Sequence, residues 1–172
     1  MSEADAPAPA AALTPEQQQP LFNIEKLYVK DLSLESPNAP SIFLERENPA
    51  IDLQLHTQST LVEEGLFEVT VTVTVTAKLP EKDKVMFLIE AKQAGIFQVR
   101  NLPPGEQESV LAIICPNILY PYLREVVSNM AIHAGFNPVF LNPINFEALY
   151  QQQKQQQAQA QAQAQAATAT QH

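Results

Sequence analysis

Three histidines, one cysteine and a run of alternating acids come nearest, by type and spacing, to carrying chemistry in this 172-residue chain. His56 follows Asp52 by four residues, so on a strand the two share a face but stand roughly 13 Å apart, too far for a direct proton relay. His133 falls near the end of a helical pattern, where an imidazolium is favoured by the helix C-terminus. Neither these two nor His172 stands at metal-ligand spacing from another His or Cys, and the sequence contains no CxxC, HExxH or GxSxG. With only four glycines there is no glycine-rich phosphate loop. Cys115, the single cysteine, lies in the apolar run LAIICP and reads as a buried structural thiol that cannot close an internal disulfide. These residues argue for no enzyme, no metal and no cofactor; an enzyme built on Asp52 and His56 remains the weakest of the competing classes.

The acids are more suggestive. In YVKDLSLESPNAP, residues Tyr28 to Pro40, Asp31, Ser33 and Glu35 alternate with Tyr28, Lys30, Leu32 and Leu34, which places the acids on one face of a strand and the apolar set on the other. Glu90 belongs to a similar alternating set, Met86, Leu88, Glu90 and Lys92. Such charges either form the solvated face of an antiparallel sheet or contact a partner. Ten basic against nineteen acidic residues give a net charge of -9, which opposes binding to nucleic acid or an anionic membrane and makes a basic partner the electrostatically favoured one.

The elements that must position these residues are read from periodicity. Strands are expected from about Phe22 to Glu35, from Ala50 to about Thr60, over LFEVTVTVTVTAKL and over KVMFLIEAKQAGIFQV. In the third, Phe67, Val69, Val71, Val73 and Val75 share a face and Thr70, Thr72, Thr74 and Thr76 the other. The turn PEKDK joins the last two strands as a hairpin, and Glu64-Gly65 marks another. A long helix is expected from Pro116 to Ala134, with Leu119, Tyr122, Leu123, Val126, Val127, Met130 and Ala131 on its apolar stripe and Gly135 as its stop. Pro116 and Pro121 are expected near its start. A shorter helix begins at the N-cap Asn145, with Phe146, Leu149 and Tyr150 on one side, and its stripe ends after two turns.

The fold class is therefore α+β: a four-stranded antiparallel sheet, one long helix packed on it and a short C-terminal helix. Residues 1 to 20, rich in Ala, Pro and Gln, read as a disordered N-terminal extension, and 151 to 172, almost entirely Gln and Ala, as a low-complexity tail with a frayed helical start followed by disorder, around a domain spanning 21 to 150. No apolar run approaches the ~18–20 residues of a membrane span, and the acidic start MSEADAP lacks the basic stretch of a signal peptide, so a soluble, cytoplasmic protein is expected. One helix about 10 Å across covers one face of a four-stranded sheet and not both. Ile51, Leu53, Leu55, Phe43 and Phe146 exceed what one small core absorbs, so the chain oligomerises, keeps an apolar surface for a ligand, or does both.

Four stretches together, YVKDLSLESPNAP, AGIF (Ala94 to Phe97), CPNILYPYLRE (Cys115 to Glu125) and NPINFEALY (Asn142 to Tyr150), resemble the SecB family of bacterial export chaperones, over about Leu21 to Tyr150. The resemblance implies a homotetramer, a dimer of dimers stacked through the long helices, that binds unfolded secretory precursors without ATP and delivers them to the SecA motor. It implies a client groove including Ile42, Phe43, Ile51, Leu53, Leu55, Phe146 and Tyr150. It further implies that Asp31, Glu35, Leu88 and Glu90 form the acidic sheet surface met by the basic, zinc-binding C-terminal segment of SecA. A general holdase without a SecA role, serving for instance a toxin–antitoxin system, is the alternative within the same fold. The sequence departs from the family pattern at Ala94, where a second glycine commonly precedes Gly95, and at Gln151 to Lys154, where relatives continue with larger apolar residues.

Overall fold

The computed structural model describes residues 19–169. Within them four strands, β1 (Leu21–Glu35), β2 (Ala50–Glu63), β3 (Leu66–Leu79) and β4 (Lys84–Arg100), form one antiparallel sheet in the order β1-β4-β3-β2. Both expected hairpins are present. Gly65, at φ 75°, turns β2 into β3, and a Cβ there would collide with the Arg100 side chain. Expectations for residues 1 to 18 and for His172 lie outside the described residues.

β3 is a central strand, and its alternation reads directly into the structure: Val69, Val71, Val73, Val75 and Ala77 are fully buried under a helix while the threonines face away. β1 corrects the expected faces. Register shifts fall between Ile24 and Lys26 and between Val29 and Asp31, so one extra residue sits in the strand at each point. The second shift, around Lys30, puts Tyr28 opposite Ala94 and Asp31 opposite Lys92, both on the threonine face. Tyr28 and Lys30 therefore join Asp31, Ser33 and Glu35, while Leu32 and Leu34 pair with Ala91 and Ile89 on the core face. A bulge shifts the side-chain alternation by one residue, which two-residue periodicity cannot anticipate.

The long helix, α1 (Pro104–His133), begins a dozen residues before its expected start. Pro104 takes the first helical position, where a missing N–H is harmless, and Pro116 and Pro121 lie inside the helix. The helix tolerates Pro116 by widening into a π turn at Val110–Ile114, where the N–H of Cys115 reaches the carbonyl of Val110, five residues back. At this length α1 is long and apolar enough, by length and composition, to cross a membrane, which no run read alone had reached. Here it is a sheet-packing helix: Leu119, Leu123, Val127 and Ala131 are buried against β3 and β4. Tyr122, expected on that stripe, is half exposed, and Tyr120 is buried instead, its hydroxyl donating to the Asn142 carbonyl at 2.7 Å. Gly135, at φ 85°, ends the helix as expected, with the N–H of Phe136 bonded to the Ala131 carbonyl and that of Gly135 to Ile132.

α2 runs over Phe146–Ala169. Asn145 caps it as expected, its Oδ1 accepting from the Ala148 N–H at 3.0 Å. The helix corrects the expected fraying and disorder after two turns: it continues far beyond its apolar stripe, because Gln and Ala are themselves good helix formers. Cys115 is buried, and burial pushes its thiol up to about 12, which makes it unreactive at neutral pH.

Candidate functional site: an edge groove and an acidic sheet face

β2 is an edge strand, paired only with β3, and its side chains facing α1 run Ile51, Leu53, Leu55, Thr57, Ser59. Nothing covers the first two fully: Ile51 is 45% and Leu53 38% exposed. They form one wall of a cleft of ≈ 640 Å³. Its floor is Met86 and Phe87, and its far wall is the segment from Phe136 to Asn142 that follows the Gly135 turn.

A third wall, Glu45 to Pro49, is held by ion pairs: Lys82 in the β3–β4 turn reaches both Glu45 and Glu47, the latter at 3.1 Å, and Lys84 reaches Glu45 at 3.6 Å. The hydrogen bond from Lys82 holds the Glu45 carboxyl below its ordinary range. Along β2 the cleft is continued by two smaller cavities beneath α2, lined first by Leu55, Phe146, Leu149 and Tyr150 and then by more polar side chains.

The expected groove residues divide in two. Phe43, 50% exposed, stacks on Phe136 with ring centroids 5.1 Å apart, and Phe136 in turn meets Phe87 at 4.9 Å; with Ile51, Leu53 and the partly buried Leu55 it presents apolar surface. Ile42, in the 3₁₀ turn Ser41–Leu44, is only 1% exposed and belongs to the core of the single chain; Phe146, 2% exposed, is buried as well but lines the smaller cavity beneath α2. Tyr150 is 8% exposed but borders both smaller cavities. Sequence reading missed the far wall. Phe136, Val139, Phe140 and Leu141 form an apolar run interrupted by Pro138 and followed by Pro143, and that combination, apolar yet barred from helix or strand, is the signal that could have found it.

The opposite sheet face carries the acids. Asp31 stands opposite Lys92, Ser33 opposite Glu90 and Glu35 opposite Leu88, so all four residues expected there lie on one face of two adjacent strands. Lys92, 3.7 Å from Glu90, lies among them. The threonines of β3 continue the face to His56 and Asp52 on β2, which pair with Thr72 and Thr76. Nearby, Tyr28 donates to the Glu68 carboxylate, which also binds Lys30. Hydrogen bonds from Lys30 and Tyr28 lower the Glu68 pKa, while burial and Glu68 push Tyr28 up to about 12. The signs differ. Stability from Glu68 is complete above its ordinary 4.5 and lost as pH falls through its lower folded value; that from Tyr28 is complete below 10.0 and lost as pH rises toward 12. Glu68→Gln is expected to flatten the acid limb of a plot of urea midpoint against pH and to leave most of the alkaline limb, which burial of Tyr28 sustains.

Among the described residues no three His, Cys, Asp or Glu side chains gather as a metal site requires. A sheet closed by a helix on one face, open on the other and flanked by an apolar groove defines an α+β binding protein. A family model described as preprotein translocase subunit SecB matches residues 15–157. The protein-export protein SecB of Nitrosomonas eutropha is 63% identical over 141 residues, spanning 82% of this chain and 88% of that protein. Its counterpart in Aromatoleum aromaticum is 65% identical over 135 residues, 78% of this chain and 84% of that one. Among solved structures, a SecB-like chaperone of Mycobacterium tuberculosis in complex with an antitoxin peptide matches with a TM-score of 0.59 at 16% identity, covering 72% of this chain and 90% of that chain, a likeness of fold. The chain belongs to the SecB family.

Proposed function

We propose that this protein is a cytoplasmic, ATP-independent export chaperone, not an enzyme, that holds unfolded secretory precursors along the β2 groove and passes them to SecA through the acidic sheet face. The observation that carries the reading is the groove: exposed Phe43, Ile51 and Leu53 beside a cleft of ≈ 640 Å³ in a member of an export-chaperone family. An open apolar cleft gains affinity from buried area and many weak contacts, so a polypeptide must be unfolded to fill it. Assembly as a dimer of dimers is supported by apolar surface left on both outer sides. Ile114 and Tyr122 are half exposed on α1, and Phe22, Ile24 and Val29 are exposed on the edge strand β1.

The SecA contact is tested by charge reversal. Asp31→Lys combined with Glu35→Lys is expected to weaken SecA binding roughly tenfold at low salt, and less at high salt, while client binding is unchanged. Titration calorimetry with an unaltered SecA affinity would remove both acids from the contact and favour a general holdase.

A further inference from the structure

The two walls of the groove change character at the same level. On β2 the side chains facing α1 are apolar as far as Leu55 and then become Thr57 and Ser59. On α2, Phe146, Leu149 and Tyr150 give way to Gln153 and Gln157. Two cavities meet at this level and share Thr57, Ala112, Tyr150 and Gln153: one of ≈ 120 Å³ on the apolar side, and one of ≈ 220 Å³ reaching Ser59 and Gln157.

Tyr150 stands between them, more than nine-tenths buried, and its hydroxyl has no hydrogen-bond partner. Lys154 lies over the ring, 4.8 Å from its centroid, and pairs with Glu108 at 3.4 Å; its closeness to the Tyr150 hydroxyl favours the ammonium form, yet no hydrogen bond of proper geometry joins the two. A buried, unpartnered hydroxyl is unfavourable, and a phenylalanine would fill the same space without that cost. Packing alone does not explain the tyrosine.

Resting on the reading of the groove as a client site, we infer that the Tyr150 cavity is a polar subsite for the Ser, Asn or Gln side chains of an extended polypeptide whose preceding apolar side chains lie against Ile51 and Leu53. Hydroxyls and carboxamides both donate and accept, which suits the side chains of Ser, Asn and Gln, and the paired Lys154 and Glu108 leave no net charge to select an ion. Leu53 and Ser59 are six residues apart, roughly 20 Å along the strand, so the favoured segment carries apolar residues followed about four to six positions later by Ser, Asn or Gln. Lys154, on the exposed side of α2, must move off the ring to admit it.

The test uses the full chain, its Tyr150→Phe variant and two labelled twelve-residue peptides with the same apolar first half, one ending in Ser, Asn and Gln and the other in Leu and Val. Fluorescence anisotropy is expected to show Tyr150→Phe binding the polar-ended peptide about fivefold more weakly and the apolar one unchanged, with an equal or higher melting temperature. An equal effect on both peptides, or a lower melting temperature, would overturn the subsite and leave the groove standing. Failure of the unaltered protein to bind either peptide would overturn the groove as well. Gln153→Leu with Gln157→Leu is expected to shift the preference toward the apolar peptide; an unchanged preference contradicts the inference.

Discussion

Replacing Ile51 and Leu53 together by Asp is expected to abolish capture of unfolded chains while leaving the protein folded. Both side chains lie on the edge strand, partly exposed, and line the cleft without closing the core. Full burial of an Ile or Leu is worth ~1.5–3 kcal/mol, and about half of each remains to be covered by a client, so each contributes about 1 kcal/mol to binding. Two carboxylates in the cleft add the cost of desolvating charge against apolar surface. Affinity should fall roughly 100-fold, enough that the double variant no longer slows the refolding of a reduced precursor. Stability should fall by about 2 kcal/mol, the worth of the half of each side chain already buried, which a domain held by ~5–15 kcal/mol survives. Undiminished retardation of refolding by the double variant would move the client site elsewhere.

Leu123→Ala is expected to have the opposite profile, a large loss of stability arising far from any client. Leu123 is fully buried at the centre of the α1–sheet interface, among Val71, Val73, Ile89, Leu119 and Val127 of the same core. Truncation there costs about 2–5 kcal/mol, a large share of the ~5–15 kcal/mol that holds a domain together. Thermal unfolding should move down by roughly 5–15 °C. Tyr122→Ala, one residue away but half exposed, should leave the fold of the single chain nearly unchanged and weaken self-association. Similar melting temperatures for the two variants would contradict the placement of α1.

The difference between Leu123 and Tyr122 shows where sequence reading works. β3 was legible throughout because a central strand buries one face completely, so Val and Thr alternate without interruption. β1 was legible as a strand but not in its faces, since the bulge at Lys30 leaves no trace in composition and moves Tyr28 to the acidic side. The start of α1 was obscured by Pro116, which reads as a boundary until the π turn that absorbs it is seen. Ile42 and Phe146 were legible as apolar, but whether an apolar side chain lines a groove or fills a core depends on what folds over it. The acids were legible from alternation and charge, because Asp31, Ser33 and Glu35 lie beyond the bulge in regular register with β4.

Molar mass by light scattering, with and without an unfolded secretory precursor, tests at once the proposals that this chain assembles and that it holds unfolded polypeptides. The expected particle has four times the 19.0 kDa chain mass, gains the mass of the unfolded precursor and does not gain that of the same precursor once folded. A 19.0 kDa particle whose mass is unchanged by either form would contradict both proposals.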